Sequence, residues 1–185
     1  MLRLFIATDP PPELMDELKK LVDALKAPHD GVKWARPNGI HLTVKFFGNV
    51  QESRIPTIID VSRRACSGIG EIRLTVKGIG TFPGGSRPRV LWVGLEGDIE
   101  RIAELRDALD DALNGAGFPR EERGFTAHLT LGRVKERMPV ELVRKIESVK
   151  DVTLGDMVVS GFHLFKSDLR PTGAVYTSLA YFSII

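Results

Sequence analysis

A short motif occurs twice in this chain of 185 residues, once in each half. The copies are His41-Leu42-Thr43-Val44 and His128-Leu129-Thr130-Leu131, and they contain two of the four histidines. Because alternate residues of a strand face the same side, each histidine shares a face with its threonine, while the leucine between them faces the other way. The repeat therefore predicts two related lobes whose motif strands lie side by side in one cleft.

The remaining sequence predicts strands and helices in an order that repeats. We expect strands at about 2–8, 40–47, 72–76, 90–93, 127–134, 157–166 and 175–184. We expect helices from the prolines at 10–12 to Leu25, at about 52–66 and 98–114, and from near Pro139. Short connections between several strands favour an α+β fold with antiparallel sheets over a doubly wound one. The prediction is one bilobal domain over 1–185, with helices on the outer face of each lobe's sheet and the active-site cleft between the lobes.

Composition limits the class of protein. Hydrophobic residues make up 43% and charged residues 27% of the chain, which is typical of a globular protein. No apolar run approaches the ~18–20 residues needed to span a bilayer, and the first residues read as a strand rather than a signal peptide. The single cysteine excludes an intramolecular disulfide and a CxxC metal site. We therefore expect a cytoplasmic protein whose net charge of +2 permits a polyanionic partner without requiring one. We also expect a monomer, although composition itself does not give the oligomeric state.

The paired motif suggests acid–base chemistry on an anion. Histidine titrates near neutral pH, so one imidazole can take a proton while the other gives one. A threonine hydroxyl without an adjacent base is a better hydrogen-bond donor than nucleophile. Donors duplicated around one anion point to a tetrahedral phosphate, with one histidine at each apical position. Arg133 either adds a cation to this site or lies solvated at a strand end.

The motifs resemble those of the 2H phosphoesterase superfamily, specifically its RNA 2′,3′-cyclic phosphodiesterases, also called the 2′-5′ RNA ligase family. In this sequence the similarity covers 3–7, 41–48, 87–94, 128–134, 164–167 and 173–176. Val44 and Phe47 depart from the family's signature by apolar exchanges, and Ala174 stands where the family more often has proline. The resemblance extends over nearly the whole chain.

The resemblance implies hydrolysis of a 2′,3′-cyclic phosphate at an RNA end to a 2′-phosphate, with no metal and no cofactor. It implies that His41 protonates the departing ribose O3′ and that His128 activates water as the general base. Thr43, Thr130 and Arg133 would hold the phosphate oxygens. The nearly symmetric motifs do not themselves assign the two histidine roles.

Two other functions stay open at this point. The same histidines could join RNA ends through a 2′-5′ linkage, but water at ~55 M favours hydrolysis and the histidine pair offers no route to nucleotide activation. The chain could instead be a non-catalytic RNA- or nucleotide-binding module. Intact histidines in both motifs argue against that alternative.

Several residues outside the motifs have two interpretations each. Phe46 and Trp34 are candidates for stacking a base, with buried packing as the alternative. Lys45 and Arg89 either steer RNA or are solvated, and Trp92 is expected in the core.

The remaining histidines and the cysteine are expected outside the chemistry. His29 lies in a loop and is expected on the surface, and His163 is expected to be structural or at the cleft edge. Cys66 is expected to pack inside a helix. Four dispersed histidines without an HExxH pattern predict that the chain has no zinc site.

Overall fold

The computed structural model describes residues 1–85, 87–122, 124–170 and 173–185. Its strands are β1 (Leu2–Thr8), β2 (Val32–Trp34), β3 (Leu42–Val50), β4 (Ile72–Phe82), β5 (Val90–Gly97), β6 (His128–Val134), β7 (Thr153–Val159), β8 (Gly161–Arg170) and β9 (Gly173–Ser183). Its helices are α1 (Pro12–Leu25), α2 (Ile55–Cys66), α3 (Ile99–Gly115) and α4 (Val140–Ser148). Short 3-10 turns precede β3 and α2, at Pro37–Gly39 and Glu52–Arg54.

The strands form one antiparallel sheet that is symmetric about its middle. Its order is β7-β4-β5-β6-β3-β1-β8-β9, and the short β2 pairs with β6 off this path. The two motif strands, β3 and β6, meet at the centre, where Leu42 pairs with Leu129. We call β3, β1, β8 and β9 the His41 lobe, and β6, β5, β4, β7 and β2 the His128 lobe. The predicted α+β class, with two related antiparallel lobes, is confirmed.

The lobes are not the two halves of the chain. Strand β4 belongs to the first half of the sequence but lies in the His128 lobe, and β8 and β9 return near the end to complete the His41 lobe. The prediction of one strand over 157–166 was wrong, because this stretch contains the end of β7 and the start of β8. Its apolar pattern continues through Ser160, where the chain leaves one lobe for the other, so the hydrophobic pattern alone did not reveal the crossover.

Helices α1, α2 and α3 pack against the sheet, while α4 packs against α1 and contributes Val140, Val143 and Ile146 to the lining of the cleft. Helix α1 contacts β7 and α4, while α2 contacts α3 and β9. The predicted stripe of α1 is buried, at Leu14, Leu18, Leu21 and Leu25. The main core lies between the helices and the sheet, with Leu42 and Leu129 fully buried in it. Burying each leucine stabilises the fold by roughly 1.5–3 kcal/mol. This burial therefore determines that the leucines of the motif strands face the core and that the histidines and threonines face the cleft.

Candidate active site

The pairing of the motif strands brings the two histidines to one face of the sheet. Leu42 and Leu129 are partners in an antiparallel register. Continuing this register places His41 opposite Thr130 and His128 opposite Thr43. Both leucines are fully buried, whereas His41 and Thr130 are only partly buried. Side chains directly opposite in such a pair have Cβ atoms about 4.5–5.5 Å apart, so the four polar groups face one shared space.

A β-bulge in β3 reorients the residues after the first motif. The register with β1 shifts by one residue at Val44, between Thr43 and Lys45. A bulge adds one residue to a strand and reverses the sides that later residues face. As a result Val44 and Lys45 are both buried on the helix side, and Phe46 lies on the cleft side with 47% of its surface exposed.

The second motif strand has a bulge at the matching position. The register of β6 with β5 shifts at Leu131, so that Trp92 pairs with Thr130 and Leu91 pairs with Gly132. Plain alternation would put Arg133, three residues after Thr130, on the helix side. The bulge turns Arg133 into the cleft instead. Arg133 therefore occupies the position in its lobe that Phe46 occupies in the other, and the site carries a cation on one side and an aromatic ring on the other.

His41 lies in an aromatic box. Its ring stacks on Phe5 with centroids 4.8 Å apart, and the ring of Tyr176 meets it edge-on at 5.2 Å. Phe165 lies behind Phe5, at 5.3 Å. Burial in this box lowers the pKa of His41 from 6.5 to about 4. The free protein therefore holds this imidazole mostly neutral near pH 7, and an anion bound beside it would raise the pKa.

His128 is held by its backbone neighbour and by a second set of aromatic rings. Its Nδ1–H donates a hydrogen bond to the carbonyl oxygen of Thr126 at 2.7 Å. In a neutral ring this leaves the proton on Nδ1 and a free lone pair on Nε2. Phe82 meets the ring edge-on at 5.1 Å, and Trp92, which was expected in the core, is only partly buried and lies 6.3 Å away. Nε2 of His128 is thus prepared to accept a proton.

A large cleft, about 2250 Å³ in volume, contains the predicted site. Its lining includes every residue predicted for the site, namely His41, Thr43, Phe46, His128, Thr130 and Arg133. Burial raises the pKa of Tyr176, and the charges of Arg133 and Arg3 partly offset this effect. These two cations therefore lie near the phenol that contacts His41. Sequence reasoning assigned no role to Tyr176 or Phe5, although both lie in segments that resemble the family, because no local pattern shows that β9 and β1 bring them to His41.

The cleft concentrates the positive charge of the protein. Ten of its described lining residues are basic, namely Arg3, Lys33, Arg36, Arg87, Arg89, Arg106, Arg133, Lys135, Arg137 and Lys150. Three are acidic, namely Glu121, Glu136 and Glu147. The whole chain has a net charge of only +2, so the excess of basic residues is local to the cleft. Such a surface favours a polyanionic ligand.

Two predicted base- or RNA-contacting residues have structural roles. Lys45 is 1% exposed, forms a buried ion pair with Asp110 and donates to the carbonyl oxygen of Pro119 at 2.7 Å. Neither alternative considered for Lys45, steering RNA or solvation, was correct, because the bulge turns it towards α3. Trp34 lines the cleft, but its Nε1–H donates to Asp30 at 2.7 Å, which fixes the indole edge.

The other histidines and the cysteine lie outside the paired site. His29 is exposed, while His163 places Nδ1 2.8 Å from Ser178 Oγ and packs beside Tyr181. Cys66 is fully buried, and burial raises the pKa of its thiol to about 11, which confirms the packing role. Within the described ranges, no three His, Cys, Asp or Glu side chains are grouped closely enough to hold a metal ion. Nor is any helix in those ranges both long and apolar enough to cross a membrane.

Comparison with known proteins gives consistent results over the whole chain. A model of the family described as LigT-like phosphoesterase matches residues 9–92 and again 93–176. A protein of Methanothermobacter thermautotrophicus named RNA 2′,3′-cyclic phosphodiesterase is 36% identical over 183 residues, which is 98% of each chain. A protein of Methanocaldococcus jannaschii with the same name is 34% identical and covers 95% of this chain and 96% of its own length.

Solved structures show the same fold. A protein of Thermus thermophilus superposes with a TM-score of 0.83 at 29% identity, over 99% of this chain and 98% of its own. Escherichia coli LigT superposes with a TM-score of 0.79 over 99% and 98% of the two chains, and at 22% identity this likeness concerns the fold alone. The two family matches meet within β5, and each contains one histidine motif. This chain belongs to the LigT-like phosphoesterase family.

Proposed function

We propose that this protein hydrolyses the 2′,3′-cyclic phosphate ends of RNA to 2′-phosphates, by acid–base catalysis with His41 and His128 and without a metal ion. The observation that carries the proposal is the pairing of the two motifs across one cleft, where each histidine is opposite the threonine of the other copy. The relatives named RNA 2′,3′-cyclic phosphodiesterase support the choice of substrate.

In the proposed reaction His128 Nε2 takes a proton from water as the water oxygen attacks phosphorus. The bond between phosphorus and O3′ breaks on the opposite side, and protonated His41 gives its proton to O3′. The product carries a 3′-hydroxyl and a 2′-phosphate, and the proton taken by one histidine balances the proton given by the other. The hydrogen bond from His128 Nδ1–H to Thr126 supports the base role, because it keeps Nε2 free of a proton.

In this proposal the two motif threonines and Arg133 hold the phosphate, and the bound phosphate in turn affects the protonation of His41. The hydroxyls of Thr43 and Thr130 donate to phosphate oxygens, and the Arg133 guanidinium can make two parallel hydrogen bonds to them. The bound phosphate raises the low pKa of His41 and so increases the fraction of this ring that is protonated and able to act as the acid. Substrate binding and loading of the catalytic proton are therefore coupled in this proposal.

We further propose that the enzyme acts as a cytoplasmic monomer made of a single bilobal domain. Support for the single domain comes from the interleaving of the lobes, since β4 completes one lobe while β8 and β9 complete the other. Neither half of the sequence contains all the strands of one lobe. The lone buried cysteine is consistent with a reducing compartment.

The direct test is single-turnover hydrolysis of an oligonucleotide that ends in a 2′,3′-cyclic phosphate. His41→Ala and His128→Ala should each lower the rate by roughly 10²–10⁴, the usual effect of losing a general acid or base. His29→Asn is the matched control, because His29 is exposed and asparagine accepts its positive φ of 57°. A near-normal rate in either folded motif variant would remove the acid–base assignment.

A further inference from the structure

We infer that the RNA on the 5′ side of the cyclic phosphate leaves the cleft over the His128 lobe, along a patch that we call the basic corner. The basic corner consists of Lys33, Arg87, Arg89, Lys135 and Arg137, all of which line the cleft. The inference rests on the proposed function and extends it, because it assigns a binding site to the nucleotides beyond the reacting one.

The basic corner begins directly beside the phosphate-binding arginine. In the ladder between β2 and β6, Lys33 is the partner of Arg133. In the ladder on the other side of β6, Arg133 is the partner of Val90, the first residue of β5. Because paired residues share a face, Lys33 and Arg133 emerge together from the same face of the sheet. Lys33 thus places a second cation directly beside Arg133.

Backbone hydrogen bonds fix the next cations to the same place. Val134 N–H donates to the carbonyl oxygen of Arg89 at 2.9 Å, which ties the start of β5 to the end of β6. Lys135 N–H donates to the carbonyl oxygen of Gly31 at 2.7 Å, which ties the end of β6 to the start of β2. The cations therefore come from the ends of three bonded strands rather than from one loose loop.

The charges of the basic corner are available to a ligand. All five side chains belong to exposed residues, and within the described ranges none of them forms an ion pair. The acidic lining residue in this stretch is Glu136, between Lys135 and Arg137. Neighbouring unpaired cations repel one another, and a chain of phosphates relieves that repulsion while releasing counterions.

The opposite lobe offers fewer cations. Among the described residues that line the cleft, the strands of the His41 lobe contribute one cation, Arg3, and Arg36, from the segment before β3, lies against Gly173 of β9. At the position equivalent to Arg133 this lobe has Phe46, which is half exposed and packs near Phe5 at 5.8 Å. An aromatic face suits a base, whereas a row of cations suits phosphates. The terminal base is thus directed to the His41 lobe and the 5′ phosphates to the His128 lobe.

The test compares long and short RNA on a triple variant, Lys33→Ala/Arg89→Ala/Lys135→Ala. Fluorescence anisotropy measures the Kd of 2′-phosphate-ended RNAs of about 12 and about 2 nucleotides over a range of salt. We expect the triple variant to bind the long RNA at least about tenfold more weakly than the wild type does. The slope of log K against log salt concentration should be shallower by about 2, since each phosphate contact on a single strand contributes about 0.7. Binding of the short RNA and turnover of a 2′,3′-cyclic mononucleotide should stay within about twofold of the wild type.

A matched control removes three exposed cations that have no ion pair among the described residues, in Lys26→Ala/Arg63→Ala/Arg144→Ala. This control should bind long RNA almost as well as the wild type. Equal losses in the two triple variants, or equal binding of long and short RNA by the wild type, would overturn the inference. If the wild type hydrolyses no cyclic phosphate, the proposed function fails, and the length dependence of binding still decides whether the basic corner holds RNA.

Discussion

The low pKa of His41 makes the stability of this protein depend on pH in a way that His41→Asn should remove. Burial lowers the pKa of His41 from 6.5 to about 4 in the folded state, while an unfolded chain keeps a histidine pKa near 6.5. As pH falls below about 6.5, the unfolded state takes up the proton first. The contribution of His41 is therefore fully present above pH 6.5 and is lost progressively as pH falls to about 4.

The size of this effect follows from the two pKa values. At about 1.4 kcal/mol per pKa unit, the difference between 6.5 and about 4 corresponds to roughly 3 kcal/mol of unfolding free energy. This is a large part of the roughly 5–15 kcal/mol that stabilises a typical domain. Asparagine is a polar residue of similar reach that does not titrate, so the two proteins share every other pH-dependent group.

Urea unfolding of wild type and His41→Asn at pH 7, 5.5 and about 4 measures the effect. The advantage of the wild type over the variant should shrink by about 3 kcal/mol between pH 7 and 4. An NMR titration of the His41 ring should give a midpoint near 4 in the free protein, and a higher one with a 2′-phosphate bound. Parallel stability curves for the two proteins, or a free-protein midpoint near 6.5, would refute the argument from burial.

Three further predictions concern the surroundings of the site. Lys45→Met should destabilise the protein by roughly 3–5 kcal/mol in urea unfolding because it leaves Asp110 buried without its partner, and adding Asp110→Leu should recover part of that loss. Phe5→Ala should open the aromatic box and raise the pKa of His41 towards 6.5 in an NMR titration, whereas an unchanged midpoint would show that Phe5 does not shield the ring. Exhaustive EDTA treatment should leave hydrolysis intact, and loss of activity that a divalent metal restores would contradict the two-histidine mechanism.

The sequence was sufficient for those features that depend on strand alternation and on the repeat. Two identical tripeptides half a chain apart predicted paired strands with histidine and threonine on one face, and the structure pairs Leu42 with Leu129 as required. The amphipathic stripe of α1 was equally readable, since its leucines recur at helical spacing. These signals are local, and the core packing agrees with them.

Features that depend on contacts distant in sequence could not be read in this way. A bulge changes which face a side chain takes, so alternation misplaced Lys45 and could not say why Arg133 faces the cleft. The aromatic box of His41 comes from strands at both ends of the chain, and no spacing connects Phe5 with Tyr176. The crossover at Ser160 is marked only by the pair Ser160-Gly161, and the apolar pattern runs on across it, so two strands in different lobes read as one.

The position of the phosphate in the product tests the two-histidine mechanism directly. A short RNA ending in a 2′,3′-cyclic phosphate is treated with the wild type, and the product is identified by ³¹P NMR against 2′- and 3′-phosphate standards. With His41 beside O3′ and His128 beside the attacking water, we expect a 2′-phosphate alone. A 3′-phosphate product would reverse the orientation of the substrate between the two histidines, and no hydrolysis at all would contradict the proposed function.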